Sequence, residues 1–76
     1  MASSVLDRAI EERVRAALRH SPYHAVQNLI CRCDGNAVIL EGEVPTYYQK
    51  QQAQEIIVHL PDVPAIDNRI VVRGRG

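Results

Sequence analysis

Tryptophan and phenylalanine are absent from this 76-residue chain, and three tyrosines are its only aromatic residues. The core must therefore be aliphatic, built from leucine, isoleucine, valine and alanine. No sign of charge prevails, because nine basic side chains face nine acidic ones. A dedicated nucleic-acid binder carries a basic excess, so zero net charge argues against one. Apolar runs are short, and none approaches the roughly 18 residues of a membrane-spanning helix. The start, Met1-Ala2-Ser3-Ser4, has neither the basic residues nor the apolar run of a secretory leader. As written the sequence reads as cytoplasmic, and as periplasmic or envelope-located if a leader precedes it. Two cysteines, Cys31 and Cys33, are too few for a disulfide scaffold. On a strand, a Cys-x-Cys pair shares one face but is poorly aimed for mutual bonding, so free thiols are expected.

What is present is regular patterning. Ser4 is a helix cap, and Leu6, Ile10, Val14, Ala17 and Leu18 recur at helical spacing behind it. Arg8 with Glu12, and Glu11 with Arg15, are four apart on the side expected to face solvent. Ser21-Pro22 ends this helix, since a residue before proline avoids the α region. Tyr23 to Gln27 reads as a connector, and Leu29, Cys31 and Cys33 as the inward side of a strand. Asp34-Gly35-Asn36 reverses the chain. A second strand over 38–44 then places Val38, Leu40, Gly42 and Val44 on one face and Glu41 and Glu43 on the other. An inward glycine marks a close approach, here expected from a packed helix. Pro45 stops the strand. Thr46 and Gln49 fit a capping box that opens a second helix with Ala53, Ile56, Ile57 and Leu60 buried. Pro61-Asp62 ends it, and Ile66 to Arg73 forms a last strand with Ile66, Ile70 and Val72 inward.

The order is helix, strand, D-G, V-x-L-x-G-x-V, helix, then a strand carrying Val63, Ile66, Asn68, Ile70 and Val72. This pattern resembles a BON domain, the bacterial module named for osmotic-shock and nodulation proteins. The resemblance covers roughly residues 5 to 73. It implies an α+β fold of order αββαβ, a small three-stranded mixed sheet with two helices packed on one face. The domain is expected over 5–73, between an N-terminal tail (1–4) and a flexible C-terminal tail (74–76). It also implies a non-enzymatic binding module, membrane-associated and directed to phospholipid or a small ligand, with no cofactor. Gly35, Gly42, Thr46 and Asn68 are structural positions in this reading.

The candidate lipid site joins two regions. Tyr47, Tyr48 and Lys50 open the second helix, where an apolar ring with a wet hydroxyl beside a cation suits an interface. The first N–H groups of that helix also suit an anionic headgroup. Arg8, Arg15 and Arg19 add positive charge on the first helix, although Asp7, Glu11 and Glu12 interrupt it, so an ordinary solvated face competes with the membrane reading. The alternative is a protein partner or a homodimer on the outer sheet face, through Ile30, Arg32, Ile39 and Val71. Scattered exposed apolar residues are also ordinary. A zinc site would draw on His20, His24, Cys31 and Cys33, a thiol-redox site on Cys31 and Cys33, and a nucleophile on Cys31, Cys33 or Ser21 with His59 as a base, but no catalytic constellation is visible. The zinc spacing is poor, and buried cysteine is more often a small hydrophobe.

Overall fold

The computed structural model describes residues 5–34, 37–61 and 63–74. The chain runs α1 (Val5–Arg19), α2 (His24–Gln27), β1 (Ile30–Asp34), β2 (Ala37–Val44), α3 (Tyr47–Val58) and β3 (Ala65–Val72). The strands form one mixed sheet in the order β1-β2-β3. The hairpin β1–β2 is antiparallel, running from Ile30↔Glu41 to Asp34↔Ala37. Strands β2 and β3 are parallel, from Ala37↔Ala65 to Val44↔Val72. Parallel neighbours cannot be joined by a tight turn, and α3 makes the crossover. The result is the expected α+β arrangement, with one further helical turn, α2, where the sequence reads as a connector. Four residues, HAVQ, are too short to show helical periodicity. Gly35, Ser4 and the two expected tails, apart from Gly74, lie outside the described residues.

The helices bury one stripe each against one face of the sheet. Val14 and Leu18 of α1, Val26 of α2, Ala53 and Ile57 of α3, and Val38, Leu40 and Val44 of β2 lose essentially all contact with solvent. Burying such a side chain is worth about 1.5–3 kcal/mol, and the aliphatic core reflects the lack of large aromatics. Cys31 and Cys33 lie inside that core and are not bridged by a disulfide.

Three local features shape the helix start, the hairpin and the sheet edges. First, Thr46 is extended and its Oγ1 accepts the Gln49 N–H at 3.1 Å. The reciprocal half of the expected capping box is not made: Gln49 Oε1 is buried with no hydrogen-bond partner among the described residues. Second, Gly42 has φ +139, and a Cβ there would lie 2.7 Å from Leu29 Cδ2. The close neighbour is thus not a helix but Leu29, the residue that leads into β1, just beyond the last register pair Ile30↔Glu41.

The third feature is the direction of the edge groups. Residues of a strand point their N–H and C=O alternately to either side. Arg73, just past β3, donates to Val44 O at 2.8 Å, so the odd-numbered residues of β3 face β2. Ile66, Asn68, Ile70 and Val72 therefore direct their backbone groups to the outer edge. In agreement, the Ile70 N–H is taken by Asn68 Oδ1 at 3.1 Å and not by β2. On the opposite edge, the Cys33 N–H donates to Glu11 Oε2 of α1 at 2.8 Å.

Candidate functional site

One end of the molecule gathers most of the aromatic surface. The cap at Thr46 fixes the start of α3, and the next two residues are the most exposed large apolar groups there: Tyr47 is 76% exposed and Tyr48 57%. Tyr48 meets Tyr23 edge to face, with ring centroids 6.0 Å apart and planes at 85°. A hydrogen bond with Tyr48, then partial desolvation, raises the Tyr23 phenol above its ordinary value. Tyr23 packs on the core and so anchors Tyr48 while leaving much of its ring outside. Lys50 is half-buried on the same first turn. Of the first N–H groups of α3, that of Gln49 is occupied by Thr46.

Helix α1 runs antiparallel to α3. Arg13 near its middle reaches Pro61 O, past the end of α3, at 3.5 Å. Its C-terminal end leads through Ser21-Pro22 into Tyr23, beside Tyr48. The exposed Arg19 thus belongs to the tyrosine end. Arg8, Arg15 and Arg19 are spaced seven and four apart and share one line of the helix, with Glu12 between them. Arg8 lies about 16 Å of helical rise from Arg19. Arg15 is half-buried, and its charge acts on the Cys31 thiol, so this line borders β1 and not α3. Arg19, at the C-terminal end of this line, precedes Tyr23 by four residues, while Arg8 and Arg15 lie further back along the β1 flank.

A groove of about 460 Å³ runs along α3, lined by Tyr48, Gln51, Gln52, Glu55, Ile56 and His59. All its lining groups come from one helix and its cap, so no second element converges on a ligand. His59 is exposed, 3.6 Å from Glu55. The zinc set is not assembled: among the described residues no three of His, Cys, Asp and Glu could hold a metal ion. Cys31 Sγ lies 3.8 Å from Glu11 O, and Cys33 Sγ 3.7 Å from Asp7 Oδ1. Burial pushes the Cys31 thiol up to about 11, so it is not the thiolate that redox or zinc chemistry uses.

No described element covers the outer sheet face. Ile30 is 58% and Val71 47% exposed, and Ile39 is half-buried between Arg32 and Asp67 in the register. Its charges satisfy one another: Arg32–Glu41 at 3.1 Å, Arg69–Asp67 at 2.9 Å, and Arg73–Glu43 at 3.0 Å at the margin. Such exposed pairs add little stability but leave the face electrically neutral.

Two residues matter more than sequence reasoning indicates. Tyr23 reads as part of a connector, and its contact with a residue 25 positions away leaves no local signal. Glu11 reads as a solvent-side partner of Arg15, but it borders the buried stripe and turns to β1. A family model described as the BON domain matches residues 6–74, nearly the whole chain. No curated protein matches it.

Proposed function

The chain belongs to the BON domain family, and on that premise we propose that it is a non-catalytic module that docks on an anionic phospholipid surface through its tyrosine end. BON is a binding-type domain whose suggested ligand is phospholipid, and its members are often periplasmic or envelope-associated. Among the described residues no helix is long and apolar enough to cross a membrane. The observation that carries the reading is the pair Tyr47 and Tyr48, exposed at the start of α3 while Tyr23 holds one of them in place. Amphipathic rings at the headgroup level bury their bodies and keep their hydroxyls wet. Lys50 and Arg19 supply the positive charge at that end. Arg8 and Arg15 contribute long-range attraction from the flank, not direct contact.

The test is an amide-resolved NMR titration with anionic and with neutral bicelles. Shifts centred on Tyr47, Tyr48, Lys50 and Arg19, seen only with anionic lipid and weakened by salt, are expected, because exposed charges are screened over about 8 Å at physiological ionic strength. No shift with either lipid, or shifts centred on the outer sheet face, would remove this reading.

A further inference from the structure

The edge of β3 is an interaction surface of a different kind, independent of lipid. We propose that β3 is a homotypic pairing edge: a second copy of this chain adds its own β3 antiparallel, about a two-fold axis through Asn68, to make one continuous sheet across both copies.

The parity of the strand requires a particular set of partners. Ile66, Asn68 and Ile70 present their N–H and C=O groups outward, as the Arg73 and Ile70 bonds establish. Only registers that set outward residues opposite outward residues can close an antiparallel ladder. A register centred on Asn68 does so, pairing Ile66 with Ile70 of the second copy and Asn68 with Asn68.

Charge then selects among these registers. Centred on Asn68, Asp67 faces Arg69 of the second copy and Arg69 faces its Asp67, while Ala65 faces Val71. Shifting the centre to residue 67 or 69 sets Asp67 against Asp67 or Arg69 against Arg69. Like charges directly opposite are unfavourable. The Asp67–Arg69 contacts fall on non-hydrogen-bonded pairs, where side chains come closest. The segment AIDNRIV is thus complementary to its own reverse in both charge and apolarity. A two-fold contact needs this property, since the same patch serves on both sides.

Helix α3 supplies a second, independent match. Gln51, Gln54 and Val58 share one line of the helix at spacings of three and four. Gln54 Oε1 accepts from Asn68 Nδ2 at 3.0 Å, which places that line above the open edge. Val58 on the same line is 54% exposed. The proposed axis passes beside Gln54, so the two α3 helices run antiparallel across it, on the same side of the joined sheet, and Val58 gains a neighbour. Pairing exchanges the internal acceptor of the Ile70 N–H, Asn68 Oδ1, for the carbonyl of Ile66 in the second copy.

Sedimentation equilibrium of the whole chain, from micromolar to millimolar, tests this with two charge variants. Wild type is expected to show a monomer–dimer equilibrium in this range. Asp67→Arg leaves two arginines opposite two arginines, and Arg69→Asp two aspartates opposite two aspartates. Each variant alone should weaken association about tenfold or more, corresponding to about 1.4 kcal/mol. An equal mixture of the two should form the heterodimer, with Ile66, Asn68 and Ile70 amides newly protected from exchange. Intact melting of each variant alone separates lost pairing from lost folding. A wild type that stays monomeric at millimolar concentration overturns the proposal. A dimer that both variants leave unchanged, or one that forms without new protection of the Ile66, Asn68 and Ile70 amides, overturns it too.

Discussion

The two edges of this small sheet are treated differently. The edge at β1 is closed from outside the strand: α1 lays the Glu11 carboxylate on the Cys33 N–H at 2.8 Å, and both thiols point at its oxygens. Among the described residues, the edge at β3 is covered from within, by Asn68 on the N–H two residues ahead. The cause is where the helices sit. Helix α1 packs on β1 and carries Glu11 to an N–H of that edge, while α3 packs on β3 and β2 and meets the edge through Gln54, which bonds the Asn68 side chain and not a backbone N–H. Edge strands tend to recruit other strands unless they are blocked. A charged acceptor from another element is a firm block; a neutral amide on the same strand is one that pairing can replace.

The largest expected effect breaks the strand on which both edges depend. Gly42→Leu forces a side chain at φ +139 and into the Leu29 side chain, whose Cδ2 would be 2.7 Å from the new Cβ. Strain and overpacking together should cost about 3 kcal/mol or more, a large part of what so small a domain has. Urea denaturation followed by circular dichroism checks it. Wild-type melting would mean that the close approach of Leu29 is not what the glycine serves.

The next effect opens the closed edge. Glu11→Ala removes a charge-assisted bond from a part-buried N–H and should cost roughly 1.5–3 kcal/mol. Exchange at the Cys33 amide should accelerate with it. Glu11→Gln keeps an acceptor oxygen and should lose less. The thiol beneath gives a pH signature of the same edge. Burial holds the Cys31 pKa at about 11, above the ordinary 9.0. Between those values the unfolded chain sheds this proton and the folded chain does not. Stability present below pH 9 is therefore lost as pH rises toward 11. Cys31→Ala should flatten that decline, and native-state thiol labelling at pH 8 should be slow. A steep alkaline loss that survives Cys31→Ala would place its cause elsewhere.

How much of this structure is legible in the sequence depends on the range of each interaction. The stripe of Ile10, Val14 and Leu18, the alternation through Val38, Leu40 and Val44, and the cap at Thr46 are local patterns, and each element they announce is present. Gly42 is recognisable as a close approach, but its neighbour is not, because only the tertiary fold brings Leu29 there. Half of the capping box is legible; whether Gln49 turns back to complete it depends on burial. The candidate site divides in the same way. Tyr47, Tyr48 and Lys50 are close in sequence and can be read directly. Nothing local says that Tyr23 holds Tyr48, or that Arg15 borders β1 and acts on the Cys31 thiol.

The smallest effect sharpens the comparison most, because two readouts should move in opposite directions. Asn68→Ala removes the acceptor of the Ile70 N–H and the donor to Gln54, both at the margin of solvent. The net loss should be about 1 kcal/mol, the ordinary worth of a hydrogen bond exchanged with water. Self-association should strengthen at the same time, since the Ile70 N–H no longer has an internal acceptor to give up. A residue that merely supports the fold would weaken both together. Equal losses of stability and association in sedimentation and melting experiments would therefore make Asn68 a structural strut and leave the β3 edge no more open than that of β1.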